Sequence, residues 1–189
     1  MRILTISAYY PPYSYGGYEI RVSNIMDALA SRGHALCVLT TKPDLTMKAA
    51  HTDFAYPVRR VLHGASRKMR FFDRLTIYRL THGIGVGLVF LREIHNNMSD
   101  LAQVEREINT FKPDLIYLGH IMPLCQELLP FLARQDLPII ADEGGASLTC
   151  AFHGGGLWRR FLAEFPEHNF FQRLIKRSFA RAVGFFSHG

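Results

Sequence analysis

The chain is short of the residues that mark out many small-protein classes. Its 189 residues include one tryptophan and three cysteines, Cys37, Cys125 and Cys150. An odd count without a C-x-x-C pair, and without clustered histidines, argues against both a disulfide framework and a zinc site, and fits a reducing cytoplasm. Long apolar runs are also missing. The longest, Gly83 to Leu91, is about half of the ~20 residues that a bilayer-spanning helix needs. The first residues carry a single arginine and reach Pro11 before any long apolar region forms, so a secretory signal is not expected. G-x-S-x-G, the Walker loop and H-E-x-x-H are all absent, which disfavours serine-hydrolase, P-loop and zinc-protease chemistry. There is no internal repeat, low-complexity tract or linker. With 48% apolar and 20% charged residues, one globular domain over residues 1–189 is the expectation.

What is present begins at the amino terminus. Arg2 to Ser7 is short, apolar and rich in branched residues, as suits a strand buried on both faces of a parallel sheet. A loop follows, Tyr9 to Gly17, because Pro11 and Pro12 forbid helix and central strand while Gly16 and Gly17 open backbone conformations closed to other residues. From Tyr18 the apolar positions are Val22, Ile25, Met26 and Leu29, a helical stripe, with Glu19, Arg21, Asn24 and Asp27 expected on the opposite face. Gly33 stops this helix, and His34 to Thr41 supplies a second strand. A glycine pair at the strand-to-helix turn of such a βαβ unit lets N–H groups approach phosphate oxygens, and the helix dipole favours their charge. The alternative is a plain tight turn, since the full G-x-G-x-x-G fingerprint is not there.

Further elements repeat the pattern: a strand over Val58–Leu62, helices over Arg70–His95 and Ser99–Phe111, a strand over Asp114–Gly119, a helix over Pro123–Gln135 and a strand over Leu137–Ala141. A last helix carries Phe170, Leu174 and Phe179, and Ala182–Ser187 reads as a sixth strand. The order is that of a doubly wound, mostly parallel α/β sheet with helices on both faces, a Rossmann-like fold. Ligands of such sheets bind at the carboxyl ends of the strands. His120 follows a glycine at one of those ends, and Asp142 and Glu143 follow another. His120 is a candidate site residue, although a lone histidine is often a surface residue. The two acids could bind hydroxyls or take a proton, or simply cap a helix or form an Asx turn.

The formal charge of +6 and pI near 9.4 call for an anionic partner or a solvated basic face. Arg67, Lys68, Arg70 and Arg74 are interleaved with Phe71, Phe72, Leu75 and Tyr78. That segment is either a basic amphipathic helix lying on an anionic membrane surface or a domain helix with core aromatics. Nucleic acid is not expected, because no RNA- or DNA-binding motif accompanies the charge.

The run from Tyr9 to Val22, YYPPYSYGGYEIRV, followed by ALASRGH and an apolar strand ending in Thr40-Thr41, resembles the opening of the family-4 retaining glycosyltransferases of the GT-B fold. The match is specific over about the first 40 residues and rests on element order beyond them. The resemblance implies the N-terminal, acceptor-side domain of an enzyme that moves a sugar from a nucleoside-diphosphate sugar to a hydroxyl acceptor, lipid-linked or a polysaccharide precursor. It places Gly16 and Gly17 on the donor diphosphate, Tyr15, Glu19 and Arg21 in the cleft, and His120 with Asp142 or Glu143 around the acceptor. It implies no metal and no cofactor, and a location in the cytoplasm or on the inner face of the membrane. Relatives commonly carry a histidine after the fifth strand; here a gapless reading puts Gly144 there. They also bind the donor through a C-terminal domain bearing a fixed-spacing glutamate pair, which this sequence lacks, so the 189 residues are expected to be either the N-terminal domain of a longer enzyme or a short protein incomplete as a transferase, inactive by themselves in both cases. The competing class is a stand-alone nucleotide-binding module or NAD(P)-dependent oxidoreductase. The missing third glycine and the threonines at the end of the second strand, where an acid would hold the ribose, weigh against it.

Overall fold

A computed structural model describes residues 1–13, 16–43, 53–63, 84–121, 124, 127–142, 173, 174 and 177. Five strands form one parallel sheet: β1 (Arg2–Ile6), β2 (Ala35–Thr41), β3 (Val58–Leu62), β4 (Leu115–Leu118) and β5 (Ile139–Ala141), in the order β3-β2-β1-β4-β5. Among the described residues, three helices connect them: α1 (Gly17–Ser31), α2 (Ile84–Phe111) and α3 (Leu128–Ala133). Outward growth from β1 in both directions is the Rossmann-like, doubly wound arrangement.

Side chains alternate along each strand, so β1 feeds two cores. Leu4 and Ile6 join Cys37, Leu39, Ile116 and Leu118 beneath Val104 of α2 and Leu128 and Leu132 of α3. Ile3 joins Leu36, Val38 and Tyr117 beneath Val22 and Met26 of α1. Helices thus cover both faces, and the sheet register (Ile3 beside Leu36 and Leu115) keeps equivalent side chains in line. Gly33, at φ 81°, ends α1 in the left-handed conformation that glycine adopts without penalty.

Several expectations need correction. Arg70–His95 and Ser99–Phe111 were expected as separate helices, but α2 is one helix of 28 residues from Ile84 to Phe111. Nothing between His95 and Ser99 is a glycine or proline, so no residue there breaks it. Glu19 is not on the solvent face of α1: it is 2% exposed. Residues 19, 22 and 26 share a face at helical spacing, so the carboxylate lies in line with Val22 and Met26. Gly16 is extended (φ −163°, ψ −170°), a conformation open to any residue, so the backbone there does not demand glycine. Strand and helix ends are shorter than the sequence pattern by one or two residues at several places.

Candidate functional site

The strands end together, which brings Ser7–Tyr9, Gly119–His120 and Asp142 to one edge of the sheet beside the amino terminus of α1. Backbone bonds hold them there: Ala8 N–H donates to the His120 carbonyl at 2.7 Å, Gly119 N–H to that of Ile6 at 3.0 Å, and Asp142 N–H to that of Leu118 at 2.8 Å. Two of the polar groups expected from the sequence, His120 and Glu19, are in direct contact. His120 Nδ1 lies 3.2 Å from Glu19 Oε1, and Glu19 Oε2 accepts the Gly16 N–H at 3.0 Å. One buried carboxylate therefore ties the turn before α1 to the loop after β4. The imidazole is walled by Tyr9 and Tyr18, with ring centroids at 5.7 and 5.6 Å in edge-on geometry.

A second cluster forms around Asp142. Its carboxylate pairs with the Arg21 guanidinium and accepts the Tyr117 phenol at 2.7 Å. The Tyr18 hydroxyl donates to its backbone carbonyl, and Arg21 lies over the Tyr18 ring at 5.1 Å. Burial, reinforced by the Asp142 carboxylate, pushes the Tyr117 phenol above its ordinary range, so it stays a donor. Asp142 is thus engaged by three side chains of two elements, which suits it to orient groups. Glu19 and Arg21, two residues apart on α1, reach the two clusters separately.

Gly16 and Gly17 stand at the start of α1 with room in front of them. Among the described residues, a Cβ on Gly17 would meet nothing within 4 Å, and one on Gly16 only Glu19 Oε2 at 3.8 Å. Among the described residues, packing explains neither glycine, whereas it explains Gly119. A Cβ at Gly119 would lie 2.9 Å from Ser7 Oγ, 3.1 Å from Ser7 Cβ and 3.3 Å from Val22 Cγ2. That close approach lets Ser7 Oγ accept the His120 N–H at 3.2 Å while donating to the Tyr9 carbonyl at 3.0 Å.

At the end of β2 the hydroxyls of Thr40 and Thr41 both donate to the Ala8 carbonyl. These threonines therefore brace the strand end. Tyr15, Glu143 and the basic residues Arg67, Lys68, Arg70 and Arg74 lie outside the described residues, as do Gly144, the last helix apart from Arg173, Leu174 and Arg177, and the sixth strand.

Ser7, Tyr9, Tyr18, Tyr117 and Gly119 were not singled out from the sequence. Only Gly119 carried a usable signal, a glycine directly after a buried strand where two elements must approach.

The fold defines an α/β domain of the doubly wound, Rossmann-like class. No family model matches the chain, and no curated protein matches it. Among solved structures it is similar to the sucrose-phosphate synthase of Thermosynechococcus elongatus, at 15% identity and a TM-score of 0.45, over 74% of this chain and 31% of that one. Similarity at that level carries no statement about chemistry. Among the described residues, no helix is long and apolar enough to cross a membrane.

Proposed function

We propose that the chain is the acceptor-side domain of a glycosyltransferase that uses a nucleoside-diphosphate sugar and a hydroxyl acceptor, lipid-linked or a polysaccharide precursor. One observation carries the reading: the uncrowded glycine pair, the Glu19–His120 pair and the Arg21–Asp142 pair converge on the carboxyl edge of a parallel sheet. The resemblance of residues 9–41 to family-4 enzymes supports it. In this reading Gly16 and Gly17 admit the donor diphosphate to the N–H groups at the start of α1. His120 and Asp142 address acceptor hydroxyls, with Glu143 beside them, and Arg21 fixes Asp142. Tyr15 completes the cleft. No metal or cofactor is required of the domain. The donor's nucleotide is held mainly by a second domain, so these residues alone transfer no sugar.

Amide-resolved NMR titration of the 189-residue chain with pyrophosphate, and separately with simple glycosides, tests this. Pyrophosphate is expected to move the Gly16 and Gly17 amides, and glycosides those of His120 and Asp142. Gly17→Val is expected to remove the first response and keep the fold, because among the described residues nothing stands within 4 Å of the added Cβ. Saturating pyrophosphate that leaves both glycine amides unmoved removes the glycine pair from the site.

A further inference from the structure

We infer that Glu19 is a positioning residue that holds His120 as the Nδ1–H tautomer and so makes Nε2 the ring atom presented to a ligand. This deepens, and rests on, the reading of His120 as an acceptor-side group. An ionised carboxylate only accepts hydrogen bonds. Glu19 Oε2 is occupied by the Gly16 N–H, and Oε1 faces His120 Nδ1 at 3.2 Å, so the proton on that contact belongs to Nδ1. Neutral imidazole then keeps its lone pair on Nε2. Tyr9 and Tyr18 flank the ring edge-on at 5.7 and 5.6 Å, and the backbone that carries it is held by Ser7 Oγ, which accepts the His120 N–H at 3.2 Å.

Burial gives the carboxylate its purpose. Glu19 is 2% exposed, on the buried face of α1 with Val22, Ser23 and Met26, where a charge is costly unless each oxygen is hydrogen-bonded. A capping role alone would use one oxygen at the helix end. Here the second oxygen is spent on a side chain 101 residues away. A ligand that moves the Gly16 turn therefore acts on His120 through a single rigid group.

Two-bond ¹⁵N–¹H correlation of the 189-residue chain with ¹⁵N-labelled histidine, recorded above the imidazole titration, reads the tautomer directly. His120 is assigned among the nine histidines by the signals lost in His120→Gln. The expected wild-type pattern is a protonated Nδ1 and a bare Nε2. In Glu19→Ala the ring is expected to pass to the Nε2–H form that the free side chain prefers. Wild-type His120 with Nε2 protonated overturns the inference, and so does an unchanged tautomer in folded Glu19→Ala. Should Glu19→Ala not fold, the wild-type pattern decides alone. Failure of pyrophosphate and glycosides to bind would remove the transferase reading and leave the tautomer result standing.

Discussion

Gly119→Ala perturbs the site at its tightest point. The new methyl would sit 2.9 Å from Ser7 Oγ and 3.1 Å from Ser7 Cβ, with Val22 Cγ2 at 3.3 Å, so rotating the hydroxyl away does not relieve the contact. Inserting a methyl into a packed site costs about 1–3 kcal/mol. Displacing Ser7 also weakens its bonds to the His120 N–H and the Tyr9 carbonyl, each worth about 0.5–1.5 kcal/mol. With partial relaxation the sum is about 2–4 kcal/mol, or roughly 4–16 °C in Tm at about 2–4 °C per kcal/mol for a chain of this size. Urea and thermal unfolding followed by circular dichroism measure it. Ser7→Gly combined with Gly119→Ala moves the methyl from one side of the contact to the other and is expected to recover part of the loss, a non-additivity that identifies the pair. A single Gly119→Ala variant within about 0.5 kcal/mol of wild type, the range of a neutral surface change, would refute the close-approach argument.

Other consequences are equally open to measurement. Burial, with Glu107 alongside, pushes the Cys37 thiol up to about 12 from 9.0, and burial pushes the Tyr10 phenol up to about 12 from 10.0. In both, the unfolded chain loses its proton first, so the stabilisation is full below pH 9 and falls as pH rises between those values; Cys37→Ala should flatten the onset of that fall in urea unfolding series, and an unchanged slope counts against it. Arg59→Ala removes the partner at 3.1 Å from a Glu107 side chain that is 5% exposed, leaving a buried carboxylate at a cost of about 1–3 kcal/mol; adding Glu107→Gln should return most of it, which equilibrium unfolding can check. If the acceptor is lipid-linked, the chain should sediment with anionic vesicles at low salt and be released at high salt. Gln at 67, 68, 70 and 74 should abolish most of that binding, and equal recovery of both proteins in the supernatant would favour a soluble acceptor.

The strands were legible because each pairs a branched apolar run with a glycine, proline or polar break at its end, and β1 and β2 also bracket a helix with a plain stop at Gly33. His120 and Asp142 were legible for the same reason: they are the first polar side chains past an apolar parallel strand. The interior of α2 was not, since the polar run His95-Asn96-Asn97 interrupts the apolar pattern without interrupting the backbone. The charge of Glu19 points to the solvent face of α1, whereas its helical register with Val22 and Met26 puts it on the buried one. The tyrosines at 9, 18 and 117 escaped notice because a phenol beside a strand end reads equally well as core, and only the fold brings two of them to Asp142.

Placing the first strand at the centre of the sheet has a consequence for how the chain is made. β1 meets β2 across a short local connection, but its other side waits for β4, with Ile3 paired to Leu115 and Ile6 to Leu118. At about 5–20 residues per second, the stretch between Thr41 and Leu118 takes on the order of 4–15 s to leave the ribosome. During that interval one flank of a mostly apolar strand, RILTI, has no neighbour, a ready template for pairing with another nascent chain. Conditions that slow elongation should therefore reduce the soluble yield of this protein more than that of a helical bundle of equal length, whose contacts are local.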